Sequence, residues 1–419
     1  MKKFFTAIII FFMASIGIVQ AQRDENFHKN YKLDGVVVLS RHNIRSPIAD
    51  KNSVLAKITP HDWFNWTSAR SELSMLGGES EVIMGQYFRK WLAAENLITE
   101  NYLPQEGEIR FYTNIRQRTI ATAQFFSSGM LPVANIHIEH KPMIGEMDPV
   151  FNPRITFISD KFIEIASAQM NKKLNLAAHD ESYRMLEKVL DFNKSEYAKS
   201  HGISNFDKND FTWTPQLNKE PSISKGLVDI AWTASDALSL QYYEENNPVK
   251  AAFGHKLTFD DWKKLVALKD YYMSAIYSAP IVAINIAHPL LQVMSDEISL
   301  NRKFTFLCGH DSNILTVLGA LDVKDYSLPE TIETKVPIGA KLVICKWRGN
   351  DNQEYATLDL IYASSEQLRN KTTLTLENPP QIYSLKLNGL RENSDGVYRL
   401  EDLQARFKQA IEAYDNLPK

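Results

Sequence analysis

The hydrophobic pattern changes period several times along this chain. Residues 36–39 (VVVL) are an unbroken, mostly β-branched run, which predicts a strand buried on both faces. Ile83, Met84, Tyr87, Phe88, Trp91 and Leu92 recur at helical spacing and predict an amphipathic helix over 79–93, packed on a sheet, with Gly77 and Gly78 marking its start. A short strand fits 109–112. A helix fits 117–128, stopped by Gly129 and Pro132. Helical periodicity then dominates, over 160–173, 181–191, 225–244 and 259–296, with Pro280 and Pro289 interrupting the last. Residues 192–224 are rich in Asn, Asp, Lys and Pro and read as loop. Strand signals resume at 304–308, followed by an apolar helix over 312–321. Residues 341–347 and 355–362 read as antiparallel neighbours across the turn GNDNQ. A strand at 383–387 and a helix at 400–413 complete the pattern.

Strands at both ends with helices between them predict one α/β domain with an inserted, mostly helical segment. The boundaries fall at 22–155 and 299–419 for the α/β parts and 156–298 for the insertion. The cleft between the two is the expected place for a site.

The first 21 residues stand apart. Lys2 and Lys3 precede an apolar run over 4–18, and Val19 and Ala21 form a small-x-small cleavage signal. This is the pattern of a signal peptide, with the mature chain starting at Gln22. The run is short for a full span, so no stable membrane insertion is expected. No Cys follows it to carry a lipid anchor. Removing the two lysines takes the net charge from -3 to -5. With no basic excess and no zinc-finger spacing, nucleic acid is not an expected partner. The two cysteines, Cys308 and Cys345, cannot form a disulfide framework. They read as buried thiols, the alternative being one bridge between neighbouring strands.

The candidate chemistry begins where the first buried strand ends, in SRHNIRSP (40–47). Cleaving a phosphate monoester needs an in-line nucleophile, cationic donors on the equatorial oxygens, and an acid for the leaving oxygen. His42 can supply the nucleophile through one ring nitrogen. An acceptor must hold the other, and a backbone carbonyl of the same turn is the natural one. Arg41 and Arg45 flank it, and Pro47 stiffens the exit.

A second string, LCGHDSNI (307–314), ends a strand and opens a helix. Gly309 allows close approach, His310 can donate to a phosphate oxygen, and Asp311 is placed to act as general acid. Near a helix N-terminus an aspartate favours its ionised form, so substrate phosphate and desolvation must counter that. The plainer reading makes Asp311 or Ser312 a helix cap. Arg116 and Arg118 follow the 109–112 strand. Two apart on a helix, they do not face the same way, and their spacing does not choose between them. His137, Glu139 and His140 are poorly spaced for chelation on an extended run. There is no Gly-rich nucleotide loop, so no metal or cofactor is expected.

RHNIRSP (41–47), QRTIATAQFF (117–126), MDPVFNP (147–153), LQYYE (240–244), GHDSNI (309–314), PIG (337–339) and SSEQLRN (364–370) occur in one consistent order. Together they resemble the histidine acid phosphatases, whose signature is RHGxRxP near the N-terminus and HD near the C-terminus. Asn43 stands where that signature has glycine, as it does in the periplasmic glucose-1-phosphatase branch. The resemblance runs from about 34 to 412. It implies a phosphoglycerate-mutase-like three-layer α/β/α domain with a central mixed sheet. It implies His42 as the phosphorylated nucleophile and Asp311 as proton donor. Arg41, Arg45, Arg118 and His310 become phosphate ligands, which favours Arg118 over Arg116. Glu220 matches a glutamate that narrows the pocket toward small sugar phosphates.

The implied protein is a periplasmic acid phosphatase, monomer or homodimer, acting on a small phosphate monoester through a phosphohistidine, with no metal. Glucose 1-phosphate is the leading substrate. The alternative is a phytase removing phosphate from myo-inositol hexakisphosphate, with Lys172, Lys173 and Lys219 as contributors. A non-catalytic phosphosugar-binding protein is the distant one. Trp63, Trp66, Trp213 and Trp232 read as core and cleft wall, the alternative for Trp63 and Trp66 being to stack on a substrate ring. The enteric members carry several disulfides, which this chain lacks.

Overall fold

The buried run at 36–39 forms the middle of β1 (Tyr31–Arg41), the strand around which the sheet is built. The computed structural model describes residues 23, 25–49, 53–142, 147–173, 179–206, 212–213, 215–224 and 227–419. The expected signal segment, residues 1–21, lies outside the described residues.

The other strands are β2 (Ile109–Thr113), β3 (Ile138–Glu139), β4 (Thr212–Trp213), β5 (Ile223–Ser224), β6 (Phe304–Gly309), β7 (Lys341–Gly349), β8 (Glu354–Tyr362), β9 (Gln381–Ser384) and β10 (Tyr398–Arg399). The main sheet runs β10-β8-β7-β1-β6-β2-β3, with β9 also on β8, while β4 and β5 pair apart. β1, β6, β2 and β3 are parallel neighbours, and β1, β7 and β8 are antiparallel. The sheet is therefore mixed, as expected.

Strand alternation sends side chains to two cores. Val36, Val38, Phe111, Phe304 and Phe306 pack under helices Met75–Ala94 and Gln117–Met130. Val37, Leu39, Leu307, Leu342 and Ile344 face the other way, onto helices Pro280–Ser299, Asp311–Ala320 and Leu400–Glu412. A third core, with Tyr183, Leu186, Leu238, Trp262 and Leu265, joins helices Asp180–Val189, Leu227–Glu244 and Phe259–Tyr277. Among the described residues, no single helix is long and apolar enough to cross a membrane.

Two helix limits differ from the expectations, the 192–224 stretch holds a short helix at Glu196–His201, and the cysteines are the buried thiols expected rather than a bridge. The helix expected to start at Gly77 starts at Met75, capped by Ser74, whose side chain accepts from the Gly77 N–H. Gly77 is small for packing: a Cβ there would lie 2.4 Å from the Ile44 carbonyl oxygen. Of the two prolines in 259–296, Pro280 begins a new helix, bent 80° from the preceding one, whereas Pro289 sits inside it. Proline at 289 cannot donate to the carbonyl of Asn285, and Thr156 Oγ1 does so instead at 3.3 Å. The two cysteines lie on β6 and β7, which are separated by β1, so they are not on neighbouring strands. Both are buried and free.

Candidate active site

Parallel pairing in register decides where the chemistry gathers. Arg41 at the end of β1 pairs with Gly309 at the end of β6, and Cys308 pairs with Thr113 at the end of β2. The loops leaving all three strands therefore emerge side by side, at the carboxyl edge where open α/β sheets place their ligands. The His42 N–H donates to the Gly309 carbonyl at 3.0 Å, and the Asn114 N–H donates to the Cys308 carbonyl at 3.0 Å. The His42 and His310 rings end with centroids 5.4 Å apart.

His42 is buried, with Nδ1 2.8 Å from the carbonyl oxygen of Asn43. A carbonyl only accepts, so Nδ1 carries the proton and Nε2 keeps its lone pair. Burial, followed by Arg118, His310, Arg45 and Arg41, holds His42 well below the usual imidazole range. Burial and the surrounding cations thus favour the neutral ring, whose Nε2 lone pair is then available. The Asn43 side chain fixes the peptide that holds His42: its Oδ1 accepts from the Ile44 N–H at 2.8 Å. Its Nδ2 donates to Glu81 at 2.7 Å, and buried Glu81 is paired with buried Lys341 at 3.0 Å.

His310 caps helix Asp311–Ala320, its N–H bonded to Asn313 Oδ1 at 2.8 Å. A Cβ on Gly309 would lie 2.3 Å from that oxygen, which is why the approach needs glycine. Asn114 Oδ1 accepts from the N–H groups of Ile115 and Asp148, which fixes its amide. Its Nδ2 then donates to His310 Nε2 at 2.8 Å. The His310 proton is thereby on Nδ1, which faces another donor, Arg118 Nη2, at 3.4 Å. Two donors side by side call for an anionic oxygen between them. Burial and then Arg118 keep His310 well below the usual imidazole range.

The arginines are held by buried or half-buried partners. Arg41 is buried: Nη1 donates to Glu333 (2.7 Å) and the Val336 carbonyl (2.6 Å), and Nη2 lies 3.2 Å from Asp311. Arg45 Nη2 donates to Asp236 at 3.1 Å, and Arg118 Nη1 to Ser71 Oγ at 2.9 Å. The Nε donors of Arg41, Arg45 and Arg118 are buried without an acceptor among the described residues. Burial and the repulsion of Arg45 and Arg116 lower the pKa of Arg118, a sign of positive charge not yet balanced.

Asp311 is the first residue of its helix, with Arg41 on one side and Lys269 Nζ at 4.0 Å on the other. Burial raises its pKa, but Arg41, Lys269, Arg45 and His310 outweigh that and hold the carboxyl well below the usual range. The resting carboxylate is thus ionised, the tendency its helix position already implied.

These side chains open into a cleft of about 460 Å³ lined by His42, Arg45, Arg118, His310, Asp311 and Glu220, with Arg41 just behind. Glu220 is exposed at the mouth, 3.5 Å from the Tyr277 hydroxyl. Its surroundings raise its pKa by desolvation, against the pull of Arg116 and Arg118. Arg116 also lines the cleft. Trp63 and Trp66 do not reach it. Trp63 packs edge-on to Phe253 and Trp66 to Phe64, and the tryptophan on the cleft wall is Trp232. Lys172, Lys173 and Lys219 are not among its lining residues.

Four buried neighbours of these side chains carried no sequence signal of their own: Asn114, Asp236, Lys269 and Glu333. Only Asn114, directly after a parallel strand and two residues before Arg116, was placed where a signal could be sought. Away from the cleft, Glu139 is bonded to Arg110 at 3.0 Å. His61, Asp191 and His255 bring ligand atoms within 4.8 Å of one another. That group is closed on itself, His61 being paired with Asp191 at 2.9 Å and Lys194 holding the other carboxylate oxygen.

Known proteins resemble this chain over most of its length. The profile of the family described as histidine phosphatase superfamily (branch 2) matches residues 32–362. The glucose-1-phosphatase of Providencia rettgeri is 38% identical over 387 residues, covering 91% of this chain and 92% of that one. The glucose-1-phosphatase of Salmonella typhimurium is 37% identical over 407 residues, covering 96% and 97%. Among solved structures, the apo form of Hafnia alvei phytase superposes with a TM-score of 0.84. It is 24% identical and covers 93% of this chain and 99% of that one, a likeness of fold.

Proposed function

This chain belongs to the histidine phosphatase superfamily (branch 2), and from its site we propose that it is a glucose-1-phosphatase working through a phosphohistidine on His42. One observation carries the reading. His42 Nε2 keeps its lone pair in a pocket where the Nε donors of Arg41, Arg45 and Arg118 have no acceptor among the described residues.

The substrate phosphate sits among those three arginines and His310 Nδ1. Nε2 of His42 attacks phosphorus, the P–O bond to the sugar breaks, and Asp311 gives its proton to the leaving oxygen. Water then attacks the phosphohistidine, returning a proton to Asp311, and phosphate departs. Because the resting Asp311 is ionised, its proton has to be taken up with the substrate. The phosphate dianion offsets the surrounding cations, and a monoanionic ester, whose second ionisation lies near pH 6, carries a proton in with it. Acidic conditions favour both routes.

The sheet portions 22–155 and 299–419 supply the phosphate site. The helical segment 156–298 supplies the opposite wall through Glu220, Asp236, Lys269 and Tyr277. Glu220 at the mouth favours a small neutral sugar over a ring carrying further phosphates. A phytase needs extra cations for spectator phosphates, and the three candidate lysines are not on the cleft wall. The basic and apolar start of the chain supports export to the periplasm with loss of residues 1–21.

The test is kcat/KM at acidic pH, in chelator, for glucose 1-phosphate and for phytate, on wild type and E220A, with acid- and base-quench trapping of the phosphoenzyme. A base-stable phosphoenzyme absent from H42A is expected. So is a preference for glucose 1-phosphate that shrinks in E220A. A preference for phytate in both proteins would make the protein a phytase and leave Glu220 without a role.

A further inference from the structure

The Lys269–Glu333 pair is buried and stands one side chain away from the reacting carboxylate. Lys269 lies inside helix Phe259–Tyr277 at 2% exposure, and Glu333, on the segment leading to β7, is fully buried. They are hydrogen-bonded to each other. Glu333 also accepts from Arg41 Nη1 at 2.7 Å and from the Ile338 N–H at 2.9 Å. Lys269 Nζ is 4.0 Å from Asp311 Oδ2, and Arg41 Nη2 is 3.2 Å from the same oxygen. Glu333 thus holds, from behind, both of the cations closest to Asp311.

The other charged and titratable groups around Asp311 come from every wall. Arg45 and His42 lie on the loop after β1, Arg118 on helix Gln117–Met130, and His310 at the helix cap. Asp236 comes from helix Leu227–Glu244, Tyr277 from the same helix as Lys269, and Glu220 from the mouth. Most of the cations among them have a task at the phosphate. Arg41, Arg45 and Arg118 each have a buried Nε with no acceptor among the described residues, and His310 has Nδ1–H. Lys269 does not share that task, since its ammonium is spent on Glu333 and on Asp311. Burying an ion pair often costs as much as its attraction returns, so stability alone is a poor account of this one.

We propose that Glu333 and Lys269 are positioning residues for proton transfer: Glu333 anchors and neutralises the two cations nearest Asp311, and Lys269 sets how readily that carboxylate takes up its proton. The inference rests on the phosphohistidine reading and deepens it. Without the positive charge of Lys269, Asp311 gains a proton more easily. Without the negative charge of Glu333, two uncompensated cations press on Asp311 and it gains one less easily. The two variants therefore move the same limb of the pH profile in opposite directions, which a merely structural pair would not do.

The experiment is the pH dependence of kcat/KM for glucose 1-phosphate and for p-nitrophenyl phosphate, on wild type, K269M, E333Q and the double variant K269M/E333Q, with D311N as control. The high-pH limb for glucose 1-phosphate is expected to move up by about one pH unit in K269M. It moves down in E333Q and returns close to wild type in the double variant. With p-nitrophenyl phosphate, whose leaving group needs little protonation, the limb moves much less. The second ionisation of the ester lies in the same range but is common to all variants. Should E333Q not fold, K269M alone decides by the sign of its shift.

Profiles that differ only in height, with wild-type midpoints, would overturn the proposal while leaving the phosphohistidine reading intact. A D311N variant that loses no more on glucose 1-phosphate than on p-nitrophenyl phosphate would overturn both.

Discussion

Nδ1 of His42 lies 2.8 Å from the carbonyl oxygen of Asn43, so the ring proposed as the nucleophile is oriented by the next peptide of its own chain. That peptide is held in turn by the Asn43 side chain, bonded to Glu81, which is paired with Lys341. The tautomer of the imidazole is thereby fixed by a buried relay.

This burial has a measurable consequence for stability. Unfolded, His42 and His310 bind protons below about pH 6.5, whereas folded, burial and the arginines oppose it. The unfolded chain then binds more protons, so stability falls as pH drops from 7 toward 5. Asp311, with its lowered pKa, acts in a different window, losing its contribution only as pH falls below the usual carboxylate range. Urea unfolding of wild type and H42N at pH 7 and pH 5 checks this. H42N is expected to show the shallower pH dependence, and an unchanged slope would mean that His42 protonates in the native state.

D311N should separate leaving groups. Its kcat for glucose 1-phosphate is expected to fall by about 10²–10⁴-fold, the usual worth of a general acid. On p-nitrophenyl phosphate the loss should stay within about tenfold, because nitrophenolate departs without a proton. Equal losses on both substrates would remove Asp311 from the acid role.

Arg118 and Arg116 should be unequal. Arg118 faces His310 at 3.4 Å with an unsatisfied Nε, while Arg116 stands on the cleft wall next to Glu220. R118A is expected to lose about 10²–10³-fold in kcat/KM, as when a transition-state donor is removed. It should also lose most of its inhibition by inorganic phosphate. R116A should stay within about tenfold of wild type and keep that inhibition. The reverse ranking would reassign the phosphate site.

Gly339 is tied to Asn43 by space. Its φ is +68°, and a Cβ there would lie 2.6 Å from Asn43 Nδ2 and 3.2 Å from Glu81 Oε1. G339A should therefore cost about 1–3 kcal/mol and slow phosphoenzyme formation by displacing the side chain that holds the His42 turn. Urea unfolding and rapid-quench kinetics read the two effects. A variant as stable and as fast as wild type would show that the relay has slack.

Much was legible in the chain itself. The buried strand at 36–39, the helical stripe of Ile83 to Leu92 and the antiparallel pair around GNDNQ all reappear, because hydrophobic period is set locally. His42 with Arg41 and Arg45, and His310 with Asp311, could be read as chemical groups because each set shares one turn. Helix limits were less legible where packing overrides local preference. Gly77 lies inside its helix because Ser74 caps it two residues earlier than expected and is glycine because Ile44 crowds it, while at Pro289 the freed carbonyl accepts from Thr156.

What local pattern could determine was the kind of element and the contents of each loop. Which loops meet was decided by tertiary structure alone, through the parallel register that sets Arg41 beside Gly309 and Cys308 beside Thr113. The same holds for Lys269, Glu333, Asp236 and Asn114. Along the chain each is one polar residue among many. Their meaning comes from burial next to Arg41, Arg45, His310 and Asp311, and the strength of a charge depends on its neighbours and on the water it has lost.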